Sequence, residues 1–388
     1  MNTFDVVLAF VRAGLFDVQP TDEARGFISD SENAKKVYKL AQKHDIAHLV
    51  GYGLQKLNLL NEADPAGAAF SKEQFVAVYR YENIQHEIGE ILAVFEEEKI
   101  ESILLKGASI RKYYPEKWLR TSCDIDILVR KEDSERAKTA LQTKKNYDYM
   151  LTNFHDHQMY SPNGVHVELH FDLIEKDTVL KADEMLKDVW NHTVKLDGYD
   201  YAFEMDDDMF YYYHIIHMAK HLIMGGCGVR PILDIYILNQ KIEYKQSAYA
   251  LLEAGCLDKL EKKSSKLSRI WFGNESADDG DRKFAEYVLK GGVYGNTENR
   301  VAANQSEHGG AFKYALWRIF LPYKYMVGRY PMLKKHKWLY PLSHFKRWYD
   351  LLFKGRAAYS FNELKLNSTL SREQIEKTNG LMDELGLK

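Results

Sequence analysis

Leu104-Leu105-Lys106-Gly107-Ala108-Ser109 and, after a short interval, Asp124-Ile125-Asp126-Ile127-Leu128-Val129 decide how this chain is read. The first stretch reads as a buried strand that runs into a glycine turn and then a helix. The second is a strand with two carboxylates one residue apart. Strand side chains alternate faces, so Asp124 and Asp126 point the same way, roughly 6.6 Å apart at about 3.3 Å per residue. Like charges on one face repel, and folding gains nothing from placing them there. Two readings are open: an exposed strand end with two solvated acids, or a pair of divalent ions about 3.5–4 Å apart fed by both aspartates.

Working outward, residues 1–100 read as a helical N-terminal region. A short amphipathic helix covers 4–15. Ser31 caps a second, with Ala34, Val37, Tyr38 and Ala41 at helical spacing, and a third covers 46–57. Residues 61–67 read as a loop. Ser71 opens a long helix whose buried face includes Phe75, Val78, Tyr79, Ile84, Ile88 and Ile91.

Residues 101–178 change character. Pro162-Asn163-Gly164 is a hairpin turn into Val165-His166-Val167-Glu168-Leu169-His170-Phe171, which alternates with period two. Val165, Val167, Leu169 and Phe171 take one face; His166, Glu168 and His170 take the other. This predicts a compact α/β unit of about five strands with the acids on one side. Residues 179–290 return to helix. Asp206-Asp207-Asp208 starts a helix that carries His214, His217 and His221 on one face beside Lys220. Those histidines read as cleft-lining, interfacial or metal-binding. Arg230 and Asp234 read as an i, i+4 pair. Residues 291–310 read as a flexible loop or lid, and 311–388 as a basic, aromatic helical C-terminal region with a polar linker over 362–371. The fold class is therefore α+β: a small mixed sheet flanked by helices, with helical N- and C-terminal regions.

Composition bounds the rest. A chain of 388 residues, 45% apolar and 28% charged, has the make-up of an ordinary globular protein. A net charge of −3 selects no anionic partner. Three cysteines without a CxxC spacing, and a start without basic and apolar leader segments, predict a cytoplasmic location. No window approaches the ~18 apolar residues of a membrane span. Locally, 311–359 holds eleven Lys/Arg against one acid, Asp350, with aromatics interleaved. That pattern fits snorkelling basic side chains on an aromatic helical segment, a phosphate-rich partner such as a nucleic acid, or an anionic lipid surface.

Three features converge on one chemistry. Leu105-Lys106-Gly107-Ala108-Ser109 offers backbone N–H groups and a hydroxyl at a helix start, which suits a phosphate. Asp124-x-Asp126 follows on the next strand, and Glu168 lies on a later one. Phosphoryl transfer needs a phosphate cradle, carboxylates for two Mg²⁺ and a further carboxylate near the acceptor hydroxyl.

This order of motifs resembles the DNA polymerase β-like nucleotidyltransferase superfamily: hydrophobic-Gly-[Gly/Ser], then Asp-hydrophobic-[Asp/Glu]-hydrophobic, then a single acid between apolar residues. More closely, Leu104 to Ser109, Tyr114-Pro115, Arg120-x-x-x-Asp124-Ile125-Asp126 and Val167-Glu168-Leu169-His170 resemble the uncharacterised bacterial nucleotidyltransferase-like family called family 5. The resemblance implies a nucleotidyltransferase-like core over 101–178. It implies that Asp124 and Asp126 hold two Mg²⁺, with Mn²⁺ as the alternative. Glu168 would be the third carboxylate, sharing a metal and orienting or deprotonating the acceptor hydroxyl. Gly107 with Ser109 would meet the β- and γ-phosphates of an NTP. The reaction would be attack of a hydroxyl of a small molecule, protein or RNA on the α-phosphorus. Lys106 would reach a phosphate, or stand as a surface lysine at a strand end. Arg120 would steady the triphosphate, or pair with a nearby acid. Two departures weaken the cradle: Ala108 stands where the superfamily has Gly or Ser, and the interval to Asp124 is long. They leave a second reading, a catalytically inactive nucleotide- or nucleic-acid-binding protein on the same fold. Cys123 reads as a packing residue.

Overall fold

A computed structural model describes residues 1–173, 181–244, 246–293, 295–353 and 357–387. At its centre is a mixed sheet of β1 (Ser102–Leu104), β2 (Asp124–Val129), β3 (Asp148–Thr152), β4 (Asp156–Tyr160), β5 (His166–His170), β6 (Thr193–Lys195) and β7 (Ala202–Met205), in the order β3-β4-β5-β2-β1-β7-β6. The β2–β5 and β1–β7 pairs are parallel; the others are antiparallel. The fold is α+β, as its alternation patterns predict.

Period two gives each central strand two unlike faces. Ile125, Ile127, Val129, Val167 and Leu169 pack with Ile84, Ile88, Ile91 and Phe95 of the Pro65–Glu98 helix and with Ala137 and Leu141 of the Ser134–Lys145 helix. Leu128 points the other way, into a second core built from the N-terminal helices and the Asp207–Ile223 and Arg230–Lys241 helices. Asp124 and Asp126 share the face of Leu128. The sheet is thus covered by helices on both sides, and the acids look toward the Asp207–Ile223 layer.

The N-terminal helices approach so closely that one position admits no side chain. A Cβ on Gly53 would sit 1.9 Å from the carbonyl oxygen of Phe10, across the contact between the Ala47–Lys56 and Thr3–Phe16 helices.

Several expectations are corrected. The long helix begins at Pro65, not Ser71, because Asp64 accepts the Ala66 N–H at 2.8 Å and proline suits a first helical position. Its inward phase there is Phe70, Gln74 and Ala77, so Phe75, Val78 and Tyr79 face solvent. The polar Gln74 at a buried position hides that phase from a hydrophobicity reading. Two short strands, β6 and β7, lie in the region read as helix and widen the sheet from about five strands to seven. Within the expected loop 291–310, Thr297–Glu307 is a helix. Its amides have fixed partners: Asn299 donates to the Gly225 carbonyl and Gln305 to that of Asn367. Much of the expected linker 362–371 belongs to the Ala357–Thr369 helix. Asp30, not Ser31, caps the Ser31–Lys43 helix. The expected core boundary at 178, and Lys354 and Arg356 of the basic stretch, lie outside the described residues.

Candidate active site

The parallel register of β2 and β5 sets Asp124 beside His166, Asp126 beside Glu168 and Leu128 beside His170. Strands stand about 4.8 Å apart, so side chains sharing this face meet. Single donor atoms of Asp124, His166 and Glu168 lie within 4.8 Å of one another, and so do those of Asp126, Glu168 and His170. Glu168 is common to both triads. Carboxylate oxygens suit hard divalent cations such as Mg²⁺, and imidazole adds affinity for softer ions. The donor set therefore fits a metal centre.

Charge on this face is unevenly held. Asp126 is buried, and Lys106 Nζ donates to its Oδ1 at 2.7 Å. His170 Nε2 lies 3.0 Å from the same oxygen and 3.4 Å from Glu168 Oε2. Burial alone would raise the Asp126 carboxyl; Lys106 and His170 overcome it and hold Asp126 well below the usual carboxylate range. Burial likewise opposes the charge on Lys106, and Asp126 reverses that, raising the ammonium. His170 is raised in the same way, against burial, by its bonds to Asp126 and Glu168. Lys106 also favours the charge on Asp124, but there it is outweighed. Burial first, then the neighbouring Asp126 charge, pushes its carboxyl up to about 6. A carboxylate whose charge its surroundings disfavour, beside one held ionised, is what a bound cation would relieve.

A family described as an uncharacterised nucleotidyltransferase matches residues 30–256, more than half of the chain, including the whole sheet and both donor triads. The chain belongs to this family. Neither the curated proteins nor the solved structures contain a match to it.

Not every residue that the family motif suggests reaches the carboxylates. Lys106 does, through Asp126. Gly107 opens the Gly107–Ile110 helical turn, and a Cβ there would stand 3.0 Å from the Ser122 Cβ. The Ser109 hydroxyl donates to the Leu104 carbonyl at 2.9 Å, closing the end of β1. Arg120 is turned away: Nε and Nη2 donate to both oxygens of the fully buried Asp234 at 2.8 and 2.9 Å, and the Tyr114 hydroxyl donates to Asp234 at 2.7 Å. The expectation that Arg120 steadies a triphosphate does not fit this placement; its alternative, pairing with an acid, does. The i, i+4 pair of Arg230 with Asp234 is not formed either. Arg230 donates to Asp45 at 2.6 Å, because Asp234 is already taken by Arg120. Cys123 is exposed rather than packed.

The Asp207–Ile223 helix closes one side of the cleft. His217 and Lys220 line it with Lys106, His155, His170 and Tyr213. Burial, then Lys106, pushes His217 well below its ordinary value. His214 instead meets the Pro231 carbonyl at 3.2 Å. His155, His166 and His170 are residues that sequence reasoning did not place in the site; the rings of His155 and His170 stack at 5.6 Å. The signal for His170 was its shared face with Glu168, two residues earlier.

Proposed function

We propose that the protein transfers a nucleoside monophosphate from an NTP to a hydroxyl of an acceptor, using two divalent cations held by Asp124, Asp126 and Glu168. The reading rests on the two donor triads that share Glu168, and on family membership. Mg²⁺ suits the carboxylates, and Mn²⁺ tolerates the imidazoles of His166 and His170 as well. When bound, the ions neutralise charge developing on the phosphates.

The chain's own groups supply the rest. Glu168 takes the proton of the acceptor hydroxyl. The freed oxygen bonds to the α-phosphorus as the bond from that phosphorus to the bridging oxygen breaks, and pyrophosphate leaves. Lys106, already at the carboxylates, serves the phosphates as a point charge. Gly107 lets the backbone come close to them. His170 is a positioning residue that fixes Asp126 and Glu168. Ser109 and Arg120 belong to the supporting frame.

The test is incubation with α-labelled NTPs, Mg²⁺ or Mn²⁺ and fractionated acceptors, following label transfer and pyrophosphate release. Asp124→Asn and Asp126→Asn should each abolish both, and transfer that survives in the double variant overturns the reading. A second reading is supported by one observation, the engagement of the Ser109 hydroxyl with Leu104 beside Ala108. It is nucleotide binding without turnover, recognised by NTP affinity that is independent of divalent ions.

A further inference from the structure

The basic, aromatic stretch over 311–359 takes no part in the site above. Its Tyr340–Phe353 helix turns an apolar side to solvent. Leu342, Phe345, Tyr349, Leu352 and Phe353 are 56–71% exposed. At about 100° per residue they fall within an arc of about 100°. The inward side of the same helix is already satisfied: Ser343, His344 and Arg347 are buried, and Arg347 donates to the Ile319 and Arg318 carbonyls at 3.0 and 2.8 Å. The apolar arc is therefore a true outer face. Trp338, in the turn just before the helix, is 71% exposed.

Exposed cations accompany this face in the chain, three in the turns that lead into the helix and one on the helix itself. Lys334, Lys335, Lys337 and Lys346 are all exposed. Asp350, the acid in 311–359, is half-buried and accepts the Tyr330 hydroxyl at 3.3 Å. Among the described residues no helix is long and apolar enough to cross a membrane.

We propose that this surface docks the protein on an anionic lipid bilayer, with the Tyr340–Phe353 helix lying in the interface. Aliphatic and aromatic side chains would enter the headgroup boundary while the lysines meet lipid phosphates. Two other occupants fit less well. Nucleic acid stacks on aromatic rings along a basic groove, and gains nothing from the exposed leucines. A second copy packed face to face would set lysines against lysines, with no exposed acid in 311–359 to receive them.

The experiment is co-sedimentation of the full chain with sucrose-loaded vesicles of phosphatidylglycerol and phosphatidylcholine, against phosphatidylcholine alone. Partition at least tenfold stronger onto the anionic vesicles is expected, weakening with added salt. Phe345→Ser/Leu352→Ser/Phe353→Ser should lower it about tenfold, and Lys334→Gln/Lys335→Gln/Lys337→Gln should do the same. In the unaltered protein, brominated lipid should quench fluorescence that Trp338→Phe removes, a readout that needs no destabilising variant. Equal or absent partition onto both vesicle types overturns the proposal, as does full partition by a serine variant that melts at the wild-type temperature, or the absence of Trp338-dependent quenching. Capture of a labelled single-stranded oligonucleotide instead of vesicles reassigns the face to nucleic acid. A dimer by light scattering that the serine variant dissolves, without vesicle binding, reassigns it to a second copy.

Discussion

Replacing the fully buried Asp234 by Asn leaves the largely buried Arg120 guanidinium without a counter-charge. In the folded protein Asp234 accepts three bonds from Arg120 and one from the Tyr114 hydroxyl, at 2.7–3.1 Å. Asparagine keeps the volume but not the charge, and its amide N–H₂ faces donors. Breaking a buried pair by removing one partner costs about 3–5 kcal/mol, or roughly 10²–10⁴ in the folding constant. Guanidinium unfolding followed by circular dichroism reads this as a lower midpoint at unchanged slope. Arg120→Met/Asp234→Leu removes both charges and should be more stable than Asp234→Asn, because no ion is left stranded.

The outcome also decides what Arg120 is for. A loss below about 1 kcal/mol in Asp234→Asn, within the range of a surface ion pair, would refute the structural assignment, as would a double variant no more stable than the single one. If Arg120 instead served a triphosphate, Arg120→Met would weaken NTP binding at unchanged stability. Burial opposes the Asp234 charge, but Arg120 lowers the carboxyl below its ordinary value. The pair's contribution is therefore complete above the unfolded carboxyl value of about 4 and is lost as pH falls through the folded one.

Lys106 adopts φ 45° and ψ −118°, the mirror image of an extended conformation, which glycine enters readily and other residues do not. Lys106→Gly and Lys106→Ala lose the same charge, so glycine should be the more stable in thermal unfolding by about 1–3 kcal/mol; equality would remove the strain from the account. Gly53→Ala drives a methyl into the Phe10 carbonyl and should destabilise by at least about 2 kcal/mol, whereas Gly26→Ala, with open space around its Cβ in the Asp22–Ser29 helix, should stabilise by about 0.5–1 kcal/mol. Burial pushes the fully buried His44 down to about 4, against about 6.5 unfolded. Its neutral form is favoured on folding, so stability is complete above pH ~6.5 and falls by about 3 kcal/mol on the way to pH ~4; His44→Leu should flatten that part of the denaturation profile.

The carboxylates were legible because a sheet covered by helices leaves period two no freedom. Once Ile125, Ile127, Val167 and Leu169 are committed to one core, Asp124, Asp126 and Glu168 must share the other face. The register between β2 and β5 was not legible, since it joins residues about forty positions apart and depends on packing at both ends. β6 and β7 were missed because three or four residues carry too little alternation to read. The Arg230–Asp234 pair was misread for a related reason. Sequence offers Asp234 a local partner, Arg230, at i+4 spacing, but burial of Asp234 rewards the bidentate partner 114 residues away, and Arg230 is left to Asp45.

The cations near the site are sorted by what holds them. Arg120 is fixed by Asp234. Arg111 is fixed by backbone and hydroxyl: Nε donates to the Gly107 carbonyl at 2.8 Å and Nη2 to Ser122 Oγ at 2.9 Å. That second arginine ties the glycine turn to the segment entering β2, so the spacing between the turn and Asp124 is set by a buried guanidinium. It also explains why the long interval from Gly107 to Asp124 does not loosen the site: the intervening residues fold back through Tyr114 and Arg120 onto Asp234, and through Arg111 onto the turn itself. Lys106 is held differently. Its partner is a carboxylate of the donor set, its backbone is strained, and its side chain borders the cleft. A strained residue persists only where its surroundings over-determine it; here β1, the turn and Asp126 do so together. The frame is thus built from arginines whose partners are buried, and the one lysine among these three cations points at the carboxylates where the chemistry is proposed.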